Sequence, residues 1–352
     1  MKVPANAREA GYASVFFLFA LFLCSSLALG AAAHISSALL LGGHEKNKAA
    51  VRKEMETLAN EIIRAIESDP SPEVNGAEDP VWDWNGKRTN GYSLSITPIS
   101  DRINLNYTRK NLFEKTRLGL LFRPGKDADK LQQFREDAGL RSAAGDFTDF
   151  FEEGLLQKYF SSYGWANINL IDEFAARQLG AALTGDPAKG EALREKIRLL
   201  LMERRLLDRE ALPFFLGVSL AGLRPFVNAE PLMNVNFVEP LVLEELLSYG
   251  EYGIGRPKER CAEILSRRET RGISAEDLRS ILGIDRSNPL AHYLGSVTWF
   301  WEIAVTVENS DPNAPSLRAV LCRLPPGEFP AETKPEYKII EWRTHNAAPV
   351  YF

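Results

Sequence analysis

The sequence predicts an α+β protein with a long N-terminal helix, an antiparallel sheet, and a large helical block inserted between the strands of that sheet. Residues 12–67 have the composition of one long helix, apolar at first and amphipathic afterwards. Segments of alternating polarity occur near residues 92–106 and again after residue 290, and between them apolar residues recur mostly at helical spacing. The simplest chain path lets the early strand join the late strands, with the helices between them in sequence.

The first part of the N-terminal helix, residues 12–41, contains no Asp, Glu, Lys or Arg. A helix needs roughly 20 apolar residues to cross a bilayer, so this stretch predicts a transmembrane segment. Residues 44–67 contain no Pro or Gly and carry apolar side chains at helical spacing, so we expect the helix to continue beyond the membrane. Lys2 and Arg8 precede the apolar stretch, which predicts a cytoplasmic N-terminus and an exported remainder.

Three interpretations of this N-terminus are open. Gly11 ends a short polar segment directly before Tyr12 and the apolar helix, which is the pattern of a pilin-type leader; cleavage there would leave the helix on the mature protein. The alanines at residues 31–33 would instead suit the cleavage site of an ordinary signal peptide. A plain, uncleaved membrane anchor is the third interpretation.

Composition excludes little and predicts no enzyme. The chain has 352 residues, 45% of them hydrophobic, and a formal net charge of −5, which gives no general affinity for nucleic acid. The four histidines lack metal-ligand spacing, and no phosphate loop, nucleophile elbow or His–Cys pair is present. Cys261 and Cys322 could form a disulfide or lie apart as two buried thiols, and both interpretations stay open.

The segments before the helical block predict a loop and then strands. Residues 69–91 are rich in Pro and Gly, and we expect Trp82 and Trp84 within them to pack onto a neighbouring surface. Residues 92–96 alternate in polarity, as do residues 101–106, which have Ile103 and Leu105 on one face. We interpret the two segments as a hairpin or one bent strand.

Two stretches of the helical block have a specific pattern. Asp146–Glu153 carries carboxylates beside three phenylalanines, and we interpret it as the start of an amphipathic helix rather than a metal site. Residues 191–209 form a strongly charged helix. Its predicted buried side consists of Leu193, Ile197, Leu200 and Leu201.

Residues 239–283 resemble a helix-hairpin-helix unit. A helix from about Glu239 is followed by a turn at Gly253–Gly255, a helix over residues 257–267, and a capping-box start at Ser274–Asp277. Such hairpins can place backbone N–H groups against phosphates. Residues 241–285 contain nine acidic residues against seven Lys or Arg, so we favour a structural hairpin, with a membrane-anchored DNA-binding protein as the alternative. After Pro289, three strands near residues 294–308, 317–324 and 337–343 predict an antiparallel meander.

Together these pieces resemble the K-class minor pseudopilins of type II secretion systems (general secretion pathway protein K). The marks are Gly11–Tyr12 before the apolar helix, Ile103–Asn106 after a strand, Asn234–Asn236 before a helix, the hairpin-like unit, and Gly295–Ile303. The K class characteristically lacks Glu at the fifth mature position, which is Phe16 here if Tyr12 is the first mature residue. Residues 165–230 match the family pattern least.

The resemblance implies the domain organisation and the function. It implies a leader over residues 1–11, a transmembrane and amphipathic helix over residues 12–68, and a pilin-like β region. That region would comprise residues 69–110 and 290–352, with an α-domain over residues 111–289 inserted in it. The implied protein is a non-catalytic tip subunit of the pseudopilus, held in the inner membrane with its bulk in the periplasm.

The implied partners are the I, J and H classes of minor pseudopilin and the prepilin peptidase, which cleaves between Gly11 and Tyr12 and methylates the new N-terminus. Some members of the family bind calcium. Neither nucleic acid nor a small-molecule substrate is expected.

Overall fold

The computed structural model describes residues 48–141, 144–224, 226–308, 314–324 and 335–345. Gly11, Tyr12, Phe16 and the apolar stretch over residues 12–41 lie outside these ranges, so the leader and transmembrane predictions concern residues that the structure does not describe. Within the described residues, none of the helices combines the length and the apolar character needed to cross a membrane.

Helices and short strands alternate through most of the chain. The described strands are β1 (Arg88–Thr89), β2 (Tyr92–Pro98), β3 (Ile103–Asn104), β4 (Phe160–Ser161), β5 (Ala166–Asn167), β6 (Val227–Asn228), β7 (Met233–Asn234), β8 (Leu294–Gly295), β9 (Phe300–Val307), β10 (Ser316–Arg323) and β11 (Tyr337–His345). The described helices are α1 (48–67), α2 (Lys110–Glu114), α3 (Ala128–Ala138), α4 (Glu153–Tyr159), α5 (Glu173–Thr184), α6 (Pro187–Glu203), α7 (Leu212–Leu216), α8 (Pro240–Ser248), α9 (Pro257–Arg268), α10 (Ala275–Leu282) and α11 (Leu290–Tyr293).

Helix α1 packs against the sheet through one apolar face. Met55, Ala59, Ile62 and Ile66 recur every three or four residues, so they lie on one side of the helix, and each is at most 3% exposed. They share a core with the buried side chains of β2, β9 and β10. The amphipathic helix predicted over this part of the sequence is therefore confirmed.

The main sheet is antiparallel throughout. Its described strands are ordered β1-β2-β9-β10-β11, so β2 pairs with a strand that follows it by about two hundred residues. In this pairing Leu94 lies opposite Val305 and Ile96 opposite Ile303, and all four side chains are buried. The structure confirms that the early strand joins the late meander and that helices lie between them in sequence.

The loop before β1 closes one side of the core under α1. Pro80–Trp84 forms a 3₁₀ helix, and the Trp82 ring lies 5.0 Å from the ring of Phe237 and 5.8 Å from that of Trp301, between centroids. The Trp82 indole also donates a hydrogen bond to the Gly76 carbonyl oxygen at 2.7 Å. Trp84 packs against the same core, so the predicted packing of both tryptophans onto a neighbouring surface is confirmed.

The hairpin predicted for residues 92–106 is wrong. Within residues 101–106 only Ile103–Asn104 is a strand, and it pairs in parallel with β4 rather than with β2. The alternating polarity suggested a strand with one exposed face, but both faces are buried. Leu105 is 0% exposed, and Asn104 and Asn106 are only 7% and 5% exposed. The asparagine side chains bind backbone groups and turn the chain here, as described below.

Two helix predictions need correction. The chain at Ala144–Phe147 is a 3₁₀ helix, a turn follows, and α4 begins only at Glu153. Phe147, Phe150 and Phe151 are all buried, which the non-helical chain between the two helices permits. Helix α6 ends at Glu203, and Leu201 is 36% exposed although it was predicted to be buried. Leu201 lies one position beyond the buried Leu200, which rotates it by about 100° away from the core.

The hairpin-like unit forms as predicted. Helices α8 and α9 are joined through a 3₁₀ turn and Gly253, whose φ is 65°. Helix α10 has a complete capping box: the Ser274 hydroxyl accepts from the Asp277 amide at 3.1 Å, and the Ser274 amide donates to the Asp277 carboxylate at 3.4 Å.

Both described cysteines are free and buried. Cys261 lies in the core of the helical block, whereas Cys322 lies in a small cluster on the sheet face opposite α1. The two thiols therefore belong to different cores and are not paired.

Candidate functional site

The part of the chain that the structure describes contains three turns with the same asparagine pattern. In each, two asparagines flank one buried apolar residue, and a helix begins four residues after the second asparagine. We call them turn 1 (103–108), turn 2 (166–171) and turn 3 (233–238). Sequence analysis singled out the first and third but missed the second, although Asn167-Ile168-Asn169 repeats the triplet and a search for repeats would have found it.

The first asparagine of each turn bends the chain locally. Its side-chain oxygen accepts a hydrogen bond from the backbone amide of the second asparagine, which is the geometry of an Asx turn. The distances are 2.8 Å from Asn106 to Asn104, 2.8 Å from Asn169 to Asn167, and 3.0 Å from Asn236 to Asn234.

The second asparagine of each turn holds a distant segment. Its side-chain Nδ2 donates a hydrogen bond to the backbone carbonyl oxygen of one later residue. Its Oδ1 accepts a hydrogen bond from the backbone N–H of the same residue, as a neighbouring strand would. Asn106 pairs in this way with Arg141 (2.9 and 2.9 Å), Asn169 with Leu207 (2.8 and 2.7 Å), and Asn236 with Ile273 (3.2 and 2.8 Å). Each of these asparagines lies between two apolar residues in the sequence, and its side-chain amide is hydrogen-bonded inside the protein.

Each turn is also closed by a short parallel strand pair. Strand β3 pairs with β4, β5 with β6, and β7 with β8, and every pair is two residues long. The helical block is therefore three similar units in tandem: unit 1 (103–161), unit 2 (166–228) and unit 3 (233–295). The region that fitted the sequence pattern least is the middle unit of this series.

Units 1 and 3 pin their turns with an arginine from their second helix. Arg135 donates to the carbonyl oxygens of Leu105 and Thr108 at 3.2 and 2.9 Å, and Arg268 donates to those of Val235 and Val238 at 3.2 and 2.7 Å. Each arginine precedes the residue held by the second asparagine by five or six positions.

Unit 2 departs from this arrangement. At the corresponding distance before Leu207 stand Leu201 and Met202, which are 36% and 68% exposed. The carbonyl oxygens of Asn169 and Ile171 instead accept from Arg109 of unit 1, at 2.9 and 3.4 Å. Among the described residues, therefore, turn 2 is held to the segment after α6 through Asn169 and Leu207, but not by an arginine of α6.

A cleft of about 670 Å³ opens at this point, between turn 2, the end of α6 and the tyrosines of unit 3. The side chains of Arg109, Arg204 and Arg205 line it, together with those of Tyr249 and Glu251. The cleft combines positive charge, a buried hydroxyl and an apolar floor, and it draws residues from all three units.

A buried polar joint connects unit 3 to the sheet. The Asn234 side chain donates to the Asn75 carbonyl oxygen at 2.9 Å and to the Thr298 hydroxyl at 3.1 Å, and the Asn75 side chain accepts from the Thr298 amide at 2.9 Å. The Asn234 backbone N–H donates to Asp101 Oδ1 at 2.9 Å. Asp101 is 3% exposed, and burial raises the pKa of its carboxyl to about 7.

Among the described residues, the histidine at position 292 has only structural partners. His292 is buried, with Nδ1 lying 3.1 Å from Asn169 Nδ2 and 3.1 Å from the Ala229 carbonyl oxygen, which is a structural environment. The described residues contain no group of three or more His, Cys, Asp or Glu side chains that could hold a metal ion. Calcium binding stays a prediction from the resemblance, and Gly11, Tyr12 and Phe16 lie outside the described residues.

No protein-family model matches the sequence, and no curated protein matches it. Among solved structures, the chain is similar to one chain in the crystal structure of the GspK–GspI–GspJ complex from the type 2 secretion system of enterotoxigenic Escherichia coli. The sequences are 12% identical, the match covers 85% of this chain and 96% of that chain, and the TM-score is 0.34.

Proposed function

We propose that this chain is a minor pseudopilin of the K class, a structural subunit of a type II secretion pseudopilus without catalytic activity. The observation that carries the proposal is the path of the chain through the sheet. Helix α1 packs on a sheet in which β2, before the helical block, pairs with β9, after the block. The sequence before α1 supplies the apolar stretch, over residues 12–41, that the resemblance requires.

The same proposal includes processing between Gly11 and Tyr12 by a prepilin peptidase. A mature helix over residues 12–67 would be roughly 80 Å long at ~1.5 Å per residue, enough to cross a bilayer and still reach the sheet. We expect intact mass and N-terminal sequencing of the membrane-extracted protein to give Tyr12 as the first residue, with a methylated amine. A mature start near residue 34 would favour the signal-peptide interpretation and refute the pseudopilin.

We further propose that the subunit caps the fibre, with the I, J and H classes beneath it and the inner membrane holding it before assembly. A carboxylate inside hydrocarbon is tolerable mainly when it is paired. In pilin bundles the Glu at the fifth position would pair with the N-terminus of a neighbour nearer the tip. A subunit with no such neighbour would leave that charge unpaired, and Phe16 avoids the cost.

Site-specific crosslinking in a strain with the complete secretion system tests the capping role. Crosslinkers placed on the sheet and on α1 should capture other minor pseudopilins from one side only. Equal capture of the major subunit on two opposite faces would place the chain inside the fibre and contradict the cap.

The competing function is DNA binding through the hairpin of unit 3. The charges of that hairpin favour a structural role, because four of its arginines are paired with carboxylates: Arg260 and Arg267 with Glu263, Arg256 with Glu259, and Arg271 with Asp277. Salt-dependent retention of the full chain on immobilised duplex DNA would support the competitor. We expect no retention even at low ionic strength.

A further inference from the structure

We infer that the cleft between units 1, 2 and 3 binds a short acidic segment of another protein, in which carboxylates alternate with apolar side chains. This inference does not depend on the proposed function. A volume of about 670 Å³ lies within the range of natural ligand sites and would hold a few residues of an extended chain.

The charges of the cleft favour an anion. Arg109, Arg204 and Arg205 line it, against one carboxylate, Glu251. Burial alone would raise the pKa of Glu251, but hydrogen bonds, among them the 2.8 Å contact from Lys115, lower it, so this carboxylate is ionised and already paired. Neither Arg204 nor Arg205 forms a side-chain ion pair with any described residue. Two guanidinium groups therefore remain available to a ligand.

A buried donor in the cleft is unsatisfied. The Nε of Arg109 is buried without a partner among the residues that the structure describes, while another nitrogen of the same guanidinium holds turn 2. The Tyr249 side chain is 4% exposed, and its hydroxyl lies beside the Glu251 carboxylate, which together with burial raises the pKa of that hydroxyl. A buried donor without a partner is costly, and a carboxylate oxygen of a ligand would satisfy Arg109 Nε.

Part of the floor of the cleft is exposed apolar surface. Leu201 of α6 is 36% exposed, and the half-buried side chains of Leu206 and Pro289 line the cleft beside it. A ligand made only of charge would leave this surface wet, whereas an extended peptide presents alternate side chains to opposite directions. Carboxylates can then meet the arginines while the intervening apolar side chains cover the floor.

The cleft exists because unit 2 departs from the arginine pattern of its neighbours. In units 1 and 3 an arginine ties the second helix to its own turn. In unit 2 no such arginine is present in the second helix, and Arg109 of the neighbouring unit 1 donates to a carbonyl oxygen of turn 2 instead. Arg204 and Arg205, which directly follow α6, therefore line the open cleft instead of packing against turn 2.

The test uses the full chain in detergent and a labelled octapeptide of alternating glutamate and leucine, followed by fluorescence anisotropy. We expect saturable binding, and binding of the matching glutamine–leucine peptide that is weaker by about tenfold or more, because charge-assisted hydrogen bonds are lost. Replacing both Arg204 and Arg205 with Gln should weaken binding of the acidic peptide by about tenfold.

A charge-matched control is available within α6, just before the two cleft arginines. Arg194 and Arg198 pair with Glu191 and Glu195 and do not line the cleft, so replacing both with Gln should change the affinity less than about twofold.

Four outcomes would overturn the inference, three of them in the peptide measurements. Those three are the absence of saturable binding of the acidic peptide, equal loss of affinity in the cleft and control double variants, and equal binding of the glutamine peptide. Tighter binding of single-stranded DNA that competes with the peptide and is lost in the cleft variant would also overturn it, because the site would then serve nucleic acid.

Discussion

At the scale of residues, the second asparagine of each turn does the work of a short strand. Asn236 donates to the carbonyl oxygens of Asn75 and Ile273 and accepts from the Ile273 amide, and it is only 8% exposed. A side-chain amide can hold two backbone segments in this way without a second strand beside it. Alanine at this position would leave those backbone groups buried without partners.

We expect Asn236→Ala to lower the free energy of unfolding by about 2–4 kcal/mol, because several buried hydrogen bonds are lost and their partners stay desolvated. Urea unfolding followed by circular dichroism measures it. Asn111→Ala is the control, since its amide makes only a 3.4 Å bond at the surface, and it should change stability by less than about 0.5 kcal/mol. Equal effects of the two substitutions would contradict the role given to turn 3.

The buried carboxyl of Asp101 should make the polar joint sensitive to pH. Burial raises its pKa from 3.8 to about 7, so the folded state holds the proton more tightly than the unfolded state does. The resulting stabilisation is complete below about pH 4 and is lost as the pH rises to about 7.

The side chain at position 101 of the Asp101→Asn variant cannot ionise, so the variant does not lose this stabilisation as the pH rises. We expect the stability of the variant relative to the natural protein to rise between pH 4 and pH 8, by up to ~4 kcal/mol. Unfolding of both proteins across this pH range measures the difference. A difference that does not vary with pH would show that Asp101 is ionised throughout.

At the scale of elements, helix α10 depends on its cap. Ser274 and Asp277 satisfy each other's backbone amides at the N-terminus of an eight-residue helix. We expect Ser274→Ala to destabilise the protein by about 1 kcal/mol in thermal unfolding. Ser280→Ala, at an exposed position of the same helix, should be neutral or slightly stabilising, because alanine is the better helix former. A similar loss in both variants would argue against the cap.

The sequence predicted the elements that local pattern determines. The amphipathic α1, the capped α10 and the three late strands follow from periodicity and capping residues within one short segment. The segment from Ile103 to Asn106 was wrongly assigned because alternation is also produced by a turn whose polar side chains are buried and satisfied. Which backbone groups satisfy them depends on residues more than thirty positions away, such as Arg141.

The cleft was invisible for a related reason. Arg109, Arg205 and Tyr249 come from three different units, and only their packing brings them to one cavity. Nothing in the neighbourhood of each residue distinguishes it from an ordinary surface arginine or core tyrosine. The repeated asparagine triplet was the accessible signal, since it marks where the units begin.

At the scale of the whole molecule, the two described thiols report on separate cores. Cys261 and Cys322 are 6% and 1% exposed, and burial raises the pKa of both, that of Cys322 to about 12. Because the thiolate is the reactive form, neither should react readily in the folded state.

We expect iodoacetamide to modify Cys261 and Cys322 only after unfolding, and reductant to leave the melting temperature unchanged. Peptide mass spectrometry of samples treated before and after denaturation measures the modification. Recovery of a peptide linking the two cysteines would contradict the separate cores.

The pairing of β2 with β9 also governs the order in which the protein can fold. Units 1, 2 and 3 are each closed by a strand pair within their own span, so each can form as soon as its closing strand has been synthesised. Strand β2 is synthesised before all of them but must wait for β9, and contacts between such distant residues form slowly. We therefore expect the sheet under α1 to assemble last, with its apolar face open to chaperones and proteases until nearly the whole chain has been made.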